Sequence, residues 1–148
     1  MEEEYDLVVD FEGTKRYEKI LSALGYSDKA IRYYIDKPFM GRLPDPDLTY
    51  EYSGDCGDHL ILDLKLDQDR IVDARFEVDG CPGSVCSAMA LADIIRGMSL
   101  EEARQLEVEN LQLYVEGLPE TKVHCLRLAV STLHELIDAT KQKNAETH

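Results

Sequence analysis

The segment HLILDLKLDQDRIVDARFEVD at residues 59–79 decides the fold. Apolar and polar residues alternate along both of its halves, with Ile61 as the exception, and this period of two predicts two strands that each bury one face. The short polar connection at residues 68–70 predicts an antiparallel hairpin. The inward-facing side chains of its second strand are expected to be Val72, Ala74, Phe76 and Val78.

The register of this hairpin restricts where two cysteines lie. Apolar positions that meet are even-numbered in both strands, so paired residue numbers sum to an even value, and the short turn limits that sum to 136 or 138. Extended to the open end of the hairpin, either register sets Cys56 opposite residue 80 or residue 82, one position from Cys81. The two thiols are therefore expected within one or two strand spacings of each other.

The chain around these thiols is rich in glycine. Glycines lie on both sides of Cys81 and between Cys56 and Asp58. Since glycine lets the backbone approach a bound ion closely, two thiolates and a carboxylate become candidate ligands at the open end of the hairpin. Asp58 taken alone would more often be a turn residue, and a free cysteine is often a small buried hydrophobic residue.

A second pair of candidate ligands, His124 and Cys125, opens the last predicted helix. Adjacent helical residues point about 100° apart, so both reach one ligand most easily from the first turn. A helix N-terminus favours the thiolate form, which predicts a lowered pKa for Cys125. Imidazole and thiolate suit zinc, and thiolates also suit iron–sulfur clusters. Docking of this helix on the hairpin would bring five candidate ligands together.

Helical periodicity and capping signals cover most of the remaining chain. The first helix carries an apolar stripe of Tyr17, Ile20, Leu21 and Leu24. The fold class predicted from this order is α+β, an antiparallel three-stranded meander with helices packed on one side. The predicted elements are helices over 14–24, 27–37, 84–96, 109–116 and 123–141, a further short helix that begins with a capping box of Ser99 and Glu102, and a short strand over 48–52.

Composition narrows the function classes. The chain has 148 residues, of which 44% are hydrophobic, and a formal charge of −14. So acidic a chain repels phosphate backbones and anionic lipid, so no nucleic-acid or membrane partner is expected. Its start, Met1-Glu2-Glu3-Glu4, is the opposite of a secretory signal, and we expect a cytoplasmic protein. In a reducing compartment, spaced cysteines more often bind metal or do chemistry than form structural disulfides.

In these residues and their order, the chain resembles the IscU/NifU-type iron–sulfur cluster assembly scaffolds, which are similar to the N-terminal domain of NifU. The resemblance runs in uninterrupted order from about residue 30 to residue 141, after an acidic, helical N-terminal extension at 1–29, so the scaffold domain is placed at 30–148. The motifs that carry it are Ile31-Arg32-Tyr33-Tyr34, Gly54-Asp55-Cys56-Gly57-Asp58, Asp73-Ala74-Arg75-Phe76, Gly80-Cys81, Gly97-Met98-Ser99-Leu100-Glu101-Glu102-Ala103, Leu118-Pro119, Lys122 and His124-Cys125.

This resemblance implies a platform that builds clusters and no turnover enzyme. A cysteine desulfurase would deliver sulfur, iron would join it in a transient 2Fe-2S cluster, and the cluster would pass to apo iron–sulfur acceptor proteins. The implied cluster and metal ligands are Cys56, Asp58, Cys81, His124 and Cys125. Cys125 is the implied persulfide acceptor, and Asp58 matches the aspartate that keeps the site labile. Without iron, the same groups would hold zinc.

One departure from the family pattern concerns a partner. The family's chaperone-recognition segment, Leu-Pro-Pro-Val-Lys, is Leu118-Pro119-Glu120-Thr121-Lys122 here. Two of its five positions differ, one of them to a charged residue, which argues against a dedicated Hsp70-type chaperone.

Two other functions remain as alternatives. The first is a zinc-bound sulfurtransferase in which Cys125 accepts sulfur while zinc lies on Cys56, Asp58 and Cys81. The second is a thiol–disulfide protein that uses Cys81 and Cys86. Cys86 lies among Ala and Met residues of a predicted helix, which favours a buried core position.

Overall fold

The hairpin at residues 59–79 forms the centre of a three-stranded antiparallel sheet. The computed structural model describes residue 13, residues 15–53 and residues 58–146. Within them β1 (Leu48–Ser53), β2 (His59–Asp67) and β3 (Arg70–Asp79) lie in the order β1-β2-β3, so β2 is the central strand. Both strand pairs are antiparallel, which gives the predicted meander.

The hairpin adopts one of the two predicted registers. From His59↔Asp79 to Lys65↔Asp73, the numbers of paired residues sum to 138. A bulge between Lys65 and Leu66 then shifts the pairing by one residue near the turn. The open end of the hairpin, where the candidate ligands lie, therefore keeps the predicted pairing, while the turn end does not.

The bulge makes one inward-facing prediction wrong. Val72 is 50% exposed, and Ile71 is fully buried in its place. Ile71 is fixed by two backbone hydrogen bonds, since its N–H donates to the carbonyl of Met98 and its carbonyl accepts from the N–H of Gly97, each at 2.8 Å. These two hydrogen bonds to the loop at residues 97–98 fix the backbone of Ile71 so that its side chain, and not that of Val72, faces the core.

Helices cover one face of the sheet, which confirms the α+β class. α3 packs against β3, and α6 packs against β1 and β2. Leu60, Leu62 and Leu64 of β2 are at most 1% exposed and face this helical layer. The helices are α1 (15–23), α2 (Asp28–Asp36), α3 (Pro82–Ile95), α4 (Leu100–Arg104), α5 (Val108–Val115) and α6 (Val123–Glu146), with a 3-10 turn at Glu120–Lys122.

The other face of the sheet is covered by irregular chain. Phe39 and Gly41 exchange backbone hydrogen bonds with Phe76 along the outer edge of β3, and the N–H of Asp47 donates to the carbonyl of Leu64 next to β1, so the chain between them runs from one edge of the sheet to the other. The connecting residues cross the sheet over Asp63, which is 0% exposed. Because both faces are covered, β2 buries odd and even positions alike, which accounts for the apolar residue at Ile61.

The first helix contributes less to the core than its apolar stripe predicts. Leu21 is 3% exposed, whereas Tyr17, Ile20 and Leu24 are 50–60% exposed. Leu21 belongs to the same buried cluster as the leucines of β2. The predicted boundary between residues 29 and 30 stays a prediction. Within the described part of the chain, none of the helices has both the length and the apolarity to cross a bilayer.

Candidate functional site

The open end of the β2–β3 hairpin positions the first two candidate ligands. His59 pairs with Asp79, so the residues that flank this pair lie at the same end of the sheet. Asp58 immediately precedes β2, and Cys81 caps the N-terminus of α3. Pro82 follows as the first residue of that helix, where a missing N–H costs no hydrogen bond. The strand register thus delivers a carboxylate and a thiol to one corner.

The first turn of α6 lies against this corner and adds a second thiol. Cys125 Sγ is 3.8 Å from Cys81 Sγ. Cys125 is 1% exposed, whereas Cys81 is only partly buried. His124 is exposed, and its Nε2 lies 3.6 Å from Cys125 Sγ. The structure therefore places the α6 pair beside the hairpin end.

A serine that sequence reasoning missed lies between these groups. Ser84 is 1% exposed, and its hydroxyl donates to Asp58 Oδ2 at 3.1 Å. The same oxygen is 3.6 Å from Cys81 Sγ and 3.6 Å from Cys125 Sγ. The signal was its spacing, because a residue three positions after Cys81 in the first turn of a helix returns to the same face.

Side chains of the site pack closely against two glycines, Gly80 and Gly83. A Cβ at Gly80 would lie 2.7 Å from Asp58 Oδ1, closer than real side chains pack. A Cβ at Gly83 would lie 3.2 Å from Cys125 Sγ and 3.2 Å from the Lys122 side chain. The glycine-rich corner therefore allows a close approach of the carboxylate and of α6, whereas the expected approach of the backbone to a bound ion stays a prediction.

The two thiols differ in their acidity. Burial raises the pKa of Cys125 to about 11, because its effect outweighs the interaction with the Ser84 hydroxyl and the charge of Lys122. For Cys81 burial also raises the pKa, but hydrogen bonds with Ser84 and Cys125 and the Lys122 charge lower it below its ordinary value. The lowered pKa that the helix N-terminus predicts for Cys125 is therefore wrong, because burial is the larger effect. Cys81 is the more acidic thiol of the pair.

The thiol of Cys86 is part of the core. Cys86 is 0% exposed, its Sγ donates to the carbonyl of Ala30 at 3.0 Å, and burial raises its pKa to about 12. The Cys86 thiol is directed at α2, which does not favour a thiol–disulfide function.

Tyr26 is a second residue near the thiols that sequence reasoning missed. It is 5% exposed, and burial together with the neighbouring thiols raises its pKa to about 12.

The structure thus brings Asp58, Cys81, His124 and Cys125 into one connected cluster. Cys56, the remaining predicted ligand, lies outside the described residues, which exclude 54–57. Among the residues that are described, no three His, Cys, Asp or Glu side chains converge closely enough to hold a metal ion by themselves. Of the other histidines, His59 pairs with Glu51 at 3.3 Å and His134 lies 2.8 Å from the carbonyl of Leu106.

Comparison with known proteins agrees with this fold. The family described as NifU-like N terminal domain matches residues 25–147. The chain belongs to this family. The sequence resemblance to IscU/NifU-type scaffolds is thereby confirmed, and the match includes every element from α2 to α6.

Several relatives show how far the similarity extends. The nitrogen fixation protein NifU of Trichormus azollae is 33% identical over 76% of this chain and 40% of its own length. The iron-sulfur cluster assembly scaffold protein IscU of Azotobacter vinelandii is 32% identical over 81% of this chain and 97% of its own length. The chain therefore spans about 40% of the NifU proteins that it matches and nearly all of this IscU.

Solved structures share the fold. The FiSufU protein of the SUF system from Fervidobacterium islandicum AW-1 superposes with a TM-score of 0.63 at 24% identity, over 76% of this chain and 96% of that one. A NifU-like N-terminal protein from Brucella abortus gives 0.62 at 20% identity, over 79% and 94%. At these identities the likeness establishes the fold alone.

Proposed function

We propose that this domain is a scaffold on which an iron–sulfur cluster is assembled and from which it is released. The observation that carries the proposal is the pair of thiols of Cys81 and Cys125, 3.8 Å apart, joined through the Ser84 hydroxyl to the buried carboxylate of Asp58. Thiolates are the usual protein ligands of iron–sulfur clusters. Membership of the NifU-like family supports the same function.

The donor set supports a cluster that is held loosely. Cys56, Cys81 and Cys125 would supply thiolates, and Asp58 and His124 would supply an oxygen and a nitrogen. A carboxylate oxygen is a harder and poorer ligand for such a cluster than a thiolate. A mixed set should therefore release its cargo to an acceptor protein more readily than four thiolates. The cluster is cargo in this proposal, and we infer a 2Fe-2S form.

Sulfur would reach the site from a cysteine desulfurase that carries a persulfide. The thiolate of Cys125 attacks the outer sulfur of that persulfide, a new S–S bond forms at Cys125, and the desulfurase leaves as a thiolate. The S–S bond of the desulfurase breaks as the new one forms, so the transfer itself consumes no external oxidant or reductant. Reduction of each transferred sulfur to cluster sulfide takes two electrons, which ferrous iron and an added thiol reductant would supply. Lys122 lies beside Gly83 at this point, and its charge opposes the burial that raises the pKa of the Cys125 thiol, so it favours the thiolate that attacks.

Anaerobic reconstitution tests the proposal. Wild-type protein is mixed with a cysteine desulfurase, cysteine and ferrous iron, and visible absorption and metal content are measured. We expect sulfur-to-iron charge-transfer bands with about two irons per cluster. The Cys56→Ser and Cys81→Ser variants should lose the bands, whereas Cys86→Ser, which removes a thiol outside the cluster, should keep them. Wild-type protein without these bands under any condition would contradict the proposal.

A zinc-bound sulfur-transfer protein is the second candidate. The observation that favours it is the mixture of thiol, carboxylate and imidazole groups at one corner, a set that suits tetrahedral zinc. In this case Cys125 would take sulfur while zinc stays on Cys56, Asp58 and Cys81. Catalytic turnover of a small thiol acceptor by the zinc-loaded protein, with no iron–sulfur bands, would select this candidate over the scaffold.

The partners follow from the proposed function. We propose a cysteine desulfurase as sulfur donor and apo iron–sulfur proteins as acceptors. In the segment at residues 118–122 the two positions that depart from the family pattern, Glu120 and Thr121, are both exposed beside the site. An exposed negative charge there supports the absence of a dedicated Hsp70-type chaperone. A cytoplasmic location stays a prediction.

A further inference from the structure

Ser84 occupies a central place in the cluster of candidate ligands. It is 1% exposed and lies in the first turn of α3. Its hydroxyl oxygen is within 3.1–3.6 Å of the Asp58 carboxylate and of the two thiols. A side chain that touches three candidate ligands is well placed to influence how they bind.

The direction of the Ser84 hydrogen bond follows from its chemistry. A serine hydroxyl has one proton to donate, and a carboxylate is a stronger acceptor than a neutral thiol. The proton therefore goes to Asp58 Oδ2, at 3.1 Å. The same hydroxyl oxygen stays 3.6 Å from each of the two sulfur atoms, of Cys81 and of Cys125.

The other oxygen of Asp58 lies beside Gly80. A Cβ at Gly80 would come within 2.7 Å of Asp58 Oδ1, so a larger residue there would displace the carboxylate. The position of the carboxylate therefore depends on the hydroxyl of Ser84 and on the absence of a side chain at Gly80. Both residues belong to the segment that also carries Cys81, so the segment that supplies a thiol also orients the carboxylate.

We propose that Ser84 is a positioning residue that acts through Asp58 and sets how strongly the site holds a metal ion. The inference deepens the proposed function, on which it rests. Groups that hydrogen-bond to metal ligands commonly contribute about 10–100-fold to metal affinity. Since Ser84 acts through a single carboxylate, we expect an effect at the lower end of that range, about 10-fold.

Zinc binding to the full chain tests this inference without any iron–sulfur chemistry. The dissociation constant for Zn²⁺ is measured by competition with a chromophoric chelator for wild type, Ser84→Ala, Asp58→Ala and the double variant. We expect Ser84→Ala to weaken zinc binding about 10-fold in the wild-type background and less than about 2-fold in the Asp58→Ala background. That pattern would assign the effect of Ser84 to Asp58.

A matched control is available on the same helix. Ser87 is likewise buried, at 0% exposed, but its hydroxyl donates to the carbonyl of Gly83 within α3. Ser87→Ala removes an equivalent buried hydroxyl and should leave zinc affinity unchanged. Far-UV circular dichroism and thermal unfolding of the metal-free variants check that all of them fold.

Failure of the proposed role of Ser84 and failure of the proposed scaffold function give different results. Equal losses for Ser84→Ala with and without the Asp58 carboxylate would overturn the inference, because Ser84 would then act on the thiols or on the fold. Unchanged zinc affinity in Ser84→Ala, or wild-type protein that binds no zinc, would also overturn it. Absence of iron–sulfur bands on reconstitution, with the zinc result as expected, would instead contradict only the proposed scaffold function.

Discussion

Two buried aspartates, one just before the central strand and one within it, differ in the hydrogen bonds that the structure describes. Asp63 receives hydrogen bonds from the Arg42 guanidinium at 2.7 Å, the Thr49 hydroxyl at 2.6 Å and the backbone N–H of Leu43 at 3.0 Å. Asp58 accepts from the neutral Ser84 hydroxyl and lies in the same cluster as two thiols. A carboxylate held by a cation fixes the fold, whereas one placed among thiols is suited to binding a metal ion or cluster.

Because their hydrogen bonds differ, we expect the two aspartates to have different roles, Asp63 in stability and Asp58 in metal binding. Asp63 ties the irregular chain at residues 42–43 and the first residues of β1 to the face of the sheet that lies opposite the helices. Asp58 lies five residues earlier, at the open end of the hairpin. Substitutions at the first position should therefore change stability, and substitutions at the second should change metal binding.

The largest expected effect on stability belongs to Asp63→Asn. This substitution removes charge-assisted hydrogen bonds from a fully buried position, which should lower the free energy of unfolding by about 2–3 kcal/mol. Zinc affinity at temperatures where the variant is folded should equal that of wild type. Denaturant unfolding with chelator competition measures both quantities, and a variant of wild-type stability would remove the contrast between the two aspartates.

The stability difference between wild type and Asp63→Asn should also depend on pH. Burial raises the pKa of Asp63, but hydrogen bonds from Arg42, Thr49 and Leu43 outweigh it and leave the pKa below its ordinary value. A carboxyl whose pKa is lowered by folding stabilises the protein above its unfolded pKa of about 4 and loses that contribution as the pH falls through the folded value. The stability difference between wild type and Asp63→Asn should therefore be constant from about pH 6 to 8 and shrink below about pH 4. A difference that grows on acidification would contradict this assignment.

A smaller effect is expected from Gly80→Ala at the other aspartate. The new Cβ would lie 2.7 Å from Asp58 Oδ1 and 3.2 Å from the Ser84 Cβ, so the carboxylate must move. We expect zinc affinity to fall several-fold and the free energy of unfolding to fall by about 1 kcal/mol. Gly13→Ala is the control, since a Cβ there meets no atom within 4 Å. Unchanged zinc affinity in Gly80→Ala would show that the position of Asp58 does not matter for binding.

The smallest effect is expected at an exposed ion pair. Arg104 binds Asp138 through two hydrogen bonds, at 2.9 and 3.2 Å, but the Asp138 side chain is 53% exposed. Surface pairs of this kind contribute about 0–1 kcal/mol, so Asp138→Asn should change stability by less than about 1 kcal/mol. If this substitution cost as much as Asp63→Asn, burial would not be the factor that distinguishes the acids.

Much of the fold could be predicted because it depends on local periodicity. Period-two alternation at residues 59–79 predicts the hairpin, and parity restricts the register to two values, one of which the structure adopts. The choice of Ile71 over Val72 could not be predicted this way. Both are β-branched apolar residues, and the decision rests on backbone bonds to Gly97 and Met98, which are distant in sequence.

The site shows the same limit. The proximity of Asp58 and Cys81 follows from the hairpin alone, but the role of Ser84 depends on how α3 and α6 pack. The sequence predicts a more acidic Cys125 from its place in a helix, yet burial reverses the direction of the shift. The hydrogen bond from the Arg42 guanidinium to Asp63 could not be predicted either, because Arg42 lies in a stretch whose composition predicts only irregular chain.

The central claim is that the hairpin end holds an iron–sulfur cargo loosely through Asp58. The most direct measurement is the lifetime in air of the visible charge-transfer bands after anaerobic reconstitution of wild type, Asp58→Ala and Asp63→Asn, followed side by side at a temperature where all three are folded. We expect bands in all three proteins, a longer lifetime in Asp58→Ala and the wild-type lifetime in Asp63→Asn. Wild-type protein without bands, or identical lifetimes in wild type and Asp58→Ala, would contradict it.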